Sequence, residues 1–78
     1  MSEYPSVTWK KLIKELLRRG YIHCRTKGSH FSLRNPKNPF IIAVVPNYSK
    51  DLGKDLLNDI RKQLQLTRDD FIAILSDC

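Results

Sequence analysis

The hydrophobic repeat of the chain changes period at Gly20, and that change sets most of what the chain can become. Before it, Trp9, Leu12, Ile13, Leu16 and Leu17 recur at i, i+3, i+4, i+7 and i+8, one apolar stripe of an amphipathic helix. Ser6 or Thr8 is placed to cap its start, and Gly20 stands where a left-handed residue ends such a helix. Lys10, Lys11, Lys14 and Arg18 fall on the opposite face. From Tyr21 the period is two. Ile22 and Cys24 share one side of a strand, and His23, Arg25 and Lys27 share the other. Gly28-Ser29 then separates this run from His30-Phe31-Ser32-Leu33-Arg34, which alternates again. Glycine at the first of two central positions suits a type II′ hairpin turn. With that loop, Lys27 lies opposite His30, Arg25 opposite Ser32 and His23 opposite Arg34. Cys24 then faces Leu33, and Thr26 faces Phe31. A one-residue slip would destroy the match on both faces.

Asn35-Pro36-Lys37-Asn38-Pro39 reads as a loop, and Phe40-Ile41-Ile42-Ala43-Val44-Val45 as a third strand. Pro46-Asn47-Tyr48-Ser49 breaks it, with Ser49 placed to cap a second helix whose stripe is Leu52, Leu56, Leu57, Ile60 and Leu64. Thr67 caps a short last helix that buries Phe71, Ile74 and Leu75. The expectation is an α+β fold: helix, three-stranded antiparallel sheet, helix and a short extra C-terminal helix, with the helices on one face of the sheet. Ile22, Cys24, Phe31 and Leu33 form the buried side. The open face then gathers His23, Arg25, Lys27, His30, Ser32 and Arg34.

The 78 residues are expected to form one domain, 1–78, since a chain of this size buries only about 60% of its extended surface. That excludes a two-domain enzyme, a dinucleotide fold and a large enclosed substrate pocket. The net charge of +6 is unevenly spread. Residues 1–37 hold nine basic and two acidic side chains, and residues 38–78 hold five and six. Such an imbalance is the footprint of a polyanion binder, most plausibly of nucleic acid. No apolar run is long enough to span a membrane, and the first residues lack a signal peptide's apolar stretch, so a cytoplasmic protein is expected. Cys24 and Cys78 read as free thiols there.

Leu16-Leu17-Arg18-Arg19-Gly20-Tyr21, then Gly28-Ser29-His30-Phe31 six residues later, resembles the HicA toxins of HicA–HicB toxin–antitoxin pairs. Val45-Pro46 and the helix after it, and Leu66-Thr67 with Phe71, extend the resemblance over about residues 8–75. It implies a fold like that of double-stranded-RNA-binding domains, mRNA cleavage as the toxic activity, an essential Gly-Ser-His histidine (here His30) and a HicB antitoxin as inhibitor. Two positions depart from the pattern. Tyr48 stands where many members have histidine, and Asp55-Leu56 where many have Gly-Thr.

Metal-independent RNA cleavage needs a base for the 2′-hydroxyl proton, a cation for the phosphorane and an acid for the leaving 5′-oxygen. His30 is the residue whose ordinary chemistry fits the acid–base role near neutral pH. Lys27 opposite it and Arg25 on the diagonal reach the same phosphate. Arg25, Lys27, Ser29, Ser32 and Arg34 form the expected RNA-binding set, Ser29 chiefly as a turn residue that orients His30. His23, about 13 Å up the strand at ~3.3 Å per residue, is too far to form an acid–base pair with His30 and reads as a surface residue. Trp9 reads as core, and Tyr21 either as core or as a stacking surface. No group has metal-ligand spacing and no loop cradles a nucleotide, so neither metal nor cofactor is expected. The rival readings are a non-catalytic RNA-binding module that uses the same face and an interaction domain that docks an acidic protein. An inhibitor would have to cover Arg25, Lys27 and His30. The chain is expected to be a monomer alone and part of a higher oligomer with its antitoxin.

Overall fold

Thr8 starts the first helix by accepting a hydrogen bond from the Lys11 amide at 3.3 Å. The computed structural model describes residues 4–48 and 50–78. Its elements run α1 (Trp9–Arg18), β1 (Ile22–Lys27), β2 (His30–Arg34), β3 (Ile42–Pro46), α2 (Lys54–Leu64) and α3 (Arg68–Ser76). At the end of α1 the Gly20 amide bonds the Leu17 carbonyl and the Tyr21 amide bonds Leu16, both at 3.0 Å. Gly20 takes φ +99, so this is a Schellman ending in which glycine is conformationally required. It turns the chain directly into β1.

The sheet is antiparallel in the order β1-β2-β3. The helices cover one face: α1 and α2 pack on β3, and α3 packs on α1. Leu33, Ala43 and Val45 on that face are fully buried, together with Leu12, Leu16, Ile60, Leu64 and Phe71. Thr67 caps α3 by accepting from the Asp70 amide at 3.2 Å. Among the described residues no helix is long and apolar enough to cross a membrane.

Two boundaries and one helix face differ from expectation. The third strand begins at Ile42, not Phe40. Asn35 Oδ1 accepts from the Lys37 and Asn38 amides, Asn38 Oδ1 accepts from the Phe40 amide, and the Ile41 amide bonds the Asn38 carbonyl. These bonds keep the segment out of the ladder and leave Phe40 90% exposed. The second helix begins at Lys54 with Gly53 in the cap position, and the expected cap, Ser49, lies outside the described residues. Leu52 precedes that helix yet is buried, its amide bonded to the Val7 carbonyl at 2.8 Å. Finally, the α1 stripe is narrower than expected. Leu17 is half-exposed, and Glu15 is buried beside Leu12 and Leu16.

The largest correction concerns β1. The register near the turn is as expected: Lys27 pairs with His30, Thr26 with Phe31 and Arg25 with Ser32. Beyond it the register shifts, and His23 pairs with Leu33 while Ile22 pairs with Arg34. Cys24 is the extra residue of a β-bulge, and its thiol donates to the Ser32 carbonyl at 3.4 Å. The shift exchanges the faces of everything before it. His23 joins Thr26, Phe31 and Leu33 on the helix-side face, whereas Ile22 moves to the open face beside Arg34 and Ile42. Ile22, expected inside, is 42% exposed, and Cys24 is exposed as well.

Candidate nucleic-acid interface and active site

Gly28 takes φ +59 at the first central position of the turn, and Ser29 follows with negative φ, as a type II′ turn requires. This places Lys27 and His30 side by side at the hairpin end, both exposed. Directly opposite residues of an antiparallel pair hold their Cβ atoms about 5 Å apart, so a cation and an imidazole can address one phosphate. On the far side of β2, Pro46 lies opposite His30 and Val44 opposite Ser32. The loop after β3 is tied to the turn by a hydrogen bond from the Asn47 amide to the Ser29 carbonyl, 2.5 Å. The hairpin end is therefore held at both its turn and its far edge.

Arg25, Lys27, Gly28, Ser29, His30, Ser32 and Val44 line a shallow depression on the open face. Five of the expected site residues, Arg25, Lys27, Ser29, His30 and Ser32, are brought together there. Arg34 lies farther along the same face, between Ile22 and Ile42. Val44 of β3 adds an apolar side chain to the lining. His23 is not part of this depression, because the bulge turns it to the other face.

The charges differ in availability. Arg18 and Arg19 are occupied: both bond Glu15, at 2.7–2.8 Å, and Arg19 also bonds Asp77 at 2.6 Å. The Arg18 guanidinium holds the Glu15 carboxyl below its ordinary range, Arg19 lowers it further, and burial opposes them. Within the described residues no carboxylate pairs with Arg25, Lys27 or Arg34. The uncompensated positive charge of the sheet thus lies on the open face, around His30. The occupied pair on α1 was legible in the spacing of Glu15 to Arg18 and Arg19, three and four residues on.

The remaining candidates resolve simply. Trp9 is half-buried and stacks on Phe31, with ring centroids 5.1 Å apart. Tyr21 is half-buried against the core, and burial pushes its phenol pKa up. Cys24 and Cys78 are both unpaired and exposed.

A sequence profile of the family described as "HicA toxin of bacterial toxin-antitoxin" matches residues 9–66, the span from the first residue of α1 to just past α2. No individual curated protein matches the chain.

Proposed function

The chain belongs to the HicA toxin family, so it is the toxin of a toxin–antitoxin pair with a HicB-type partner, and from that premise we propose that it is a metal-independent endoribonuclease acting on mRNA. One observation carries the proposal. An exposed histidine at the hairpin end stands opposite one uncompensated cation and diagonal to another, on the open face of the sheet. His30 takes the proton from a ribose 2′-hydroxyl, and the 2′-oxygen attacks the adjacent phosphorus. As the O2′–P bond forms, charge grows on the non-bridging oxygens, where Lys27 and Arg25 stabilise it. The P–O5′ bond breaks as the proton that His30 took up is delivered to the leaving 5′-oxygen, which leaves the imidazole neutral again. The products are a 2′,3′-cyclic phosphate and a 5′-hydroxyl end. The nucleophile belongs to the substrate, so the chemistry asks the protein only for proton transfer and positive charge.

Ser29 orients the histidine through the turn, Ser32 offers a hydroxyl beside the phosphate, and Arg34 extends the positive track along the strand. In this reading the free chain is a cytoplasmic monomer. The antitoxin silences it by laying an acidic surface over Arg25, Lys27 and His30, and it also supplies the higher oligomeric state. The test is digestion of a defined RNA by the purified chain in EDTA, with analysis of both new ends. Cyclic phosphate and 5′-hydroxyl ends support the mechanism. Intact RNA that is nonetheless bound would identify a non-catalytic RNA-binding module.

A further inference from the structure

The bulge at Cys24 leaves one feature that RNA cleavage at His30 does not use. In an unbulged strand, residues three apart point to opposite faces. The extra residue puts His23 and Thr26 on the same face, and His23 Nε2 lies 2.6 Å from Thr26 Oγ1, a hydrogen bond in which either can donate. The imidazole is thereby held against Phe31 in a tilted contact, centroids 5.3 Å apart and planes 31° from parallel. Phe31 in turn stacks on Trp9, 5.1 Å away at 40°. Three rings form a continuous ladder from the first turn of α1 to the sheet margin. Its inner rings are half-buried and its outermost ring, His23, is exposed.

The ladder ends at the β1 edge of the sheet. On β3 the outward Val44 amide is taken by Gln63 Oε1 of α2 at 2.9 Å, whereas every residue of β1 is exposed. Arg25 and Lys27 project from the open side of β1, and His23 and Thr26 from its helix side. His23 pairs three residues along β2 from His30, about 10 Å away along the strand. A nucleic-acid strand that presents a phosphate to His30, Lys27 and Arg25 can therefore pass over the β1 edge and set a neighbouring base against His23.

We propose that the Trp9–Phe31–His23 ladder is a stacking platform for one unpaired base, so that the protein selects single-stranded RNA by gripping a phosphate on one face of β1 and a base on the other. The proposal rests on the reading of the chain as an RNA-cleaving toxin. A duplex cannot use both grips, because its bases are stacked and paired within the helix. Stacking reads no particular base, since each offers a π-face.

The experiment measures binding of the full chain to a short 2′-O-methyl RNA, which cannot be cleaved by its own 2′-oxygen, and to versions carrying an abasic sugar at each position in turn. The expected result is a loss on the order of tenfold at one position, matched by the same loss for His23→Ala on the intact oligonucleotide. His23→Ala should then be indifferent to the abasic sugar at that position, and His23→Phe should restore most of the binding. The same oligonucleotide annealed to its complement should bind more weakly. His23 is exposed, so its truncation opens no cavity, and an unchanged melting temperature verifies the fold. Wild-type affinity in His23→Ala, or equal losses at every abasic position, overturns the platform while leaving the phosphate grip standing. No binding of any RNA by the wild-type chain overturns the functional reading itself.

Discussion

Lys27→Ala should weaken RNA binding by an amount that depends on salt. Lys27, Arg25 and Arg34 share the open face and have no carboxylate partner within the described residues, so each is available to a phosphate. Each single-strand phosphate contact contributes about 0.7 to the slope of log K against log salt concentration. Three contacts give a slope of about 2, which is a loss of roughly twentyfold in affinity between about 50 and 200 mM salt. Lys27→Ala should lower the slope by about 0.7 and shrink that loss to roughly sevenfold. Arg25→Ala should do the same. Lys62→Ala, on the exposed side of α2, should leave the slope unchanged. Arg18→Ala should also have little effect, because that guanidinium already serves Glu15. The assay is anisotropy of a labelled uncleavable oligonucleotide at several salt concentrations. A full slope in Lys27→Ala together with a reduced one in Lys10→Ala, Lys11→Ala or Lys14→Ala would place the RNA on α1 and refute the assignment.

Gly28→Ala tests the turn without steric interference, since a Cβ there meets nothing within 4 Å while φ stays at +59. The cost is backbone conformation alone, about 1–2 kcal/mol, read as a melting temperature roughly 5–15 °C lower, with Gly28→Asn less affected. Glu15→Gln should lower the melting temperature near neutral pH by weakening the charge-assisted bonds from Arg18 and Arg19. The wild-type carboxyl is held below 4.5, so the folded chain binds fewer protons than the unfolded one in the acid range. Its contribution is full above that value and fades as pH falls through the folded pKa, and Glu15→Gln should lack this portion of the acid dependence. In the complex with its antitoxin, backbone amides of residues 22–34 should exchange more slowly than in the free chain; unchanged exchange there with cleavage suppressed would move the inhibitory contact elsewhere.

The hairpin end was legible because two independent signals agree there. Gly28-Ser29 specifies the turn, and the alternation on both sides fixes the pairs Lys27–His30 and Arg25–Ser32. The placement of His30 among cations follows from those pairs alone. The bulge was not legible: Ile22 to Lys27 alternates without a break, and no glycine marks the extra residue. What decides the register before Arg25 is tertiary packing. His23 stacks on Phe31, the Cys24 thiol reaches the Ser32 carbonyl, and Ile22 joins Ile42 on the open face. Phe40 misled for a related reason: its side chain suits a strand, but the Asn38 side chain holds its amide in a turn. The family resemblance rested on Gly20-Tyr21, Gly28-Ser29-His30 and Val45-Pro46. The structure gives each a local purpose: a helix ending, a hairpin turn and an edge strand closed by proline opposite the histidine.

Proton transfer by His30 is the step on which the proposed RNA cleavage depends, and one comparison tests it directly. Wild-type chain and His30→Ala are incubated with the same RNA in EDTA, and cleavage rates, new ends and RNA affinity are measured side by side. The side chain is exposed, so its removal leaves no cavity and should leave the melting temperature unchanged. His30→Ala should lose cleavage while RNA binding is largely retained through Lys27 and Arg25. Cyclic phosphate ends should come from the wild type alone. Equal cleavage by the two proteins, with the same ends, would remove His30 from the mechanism.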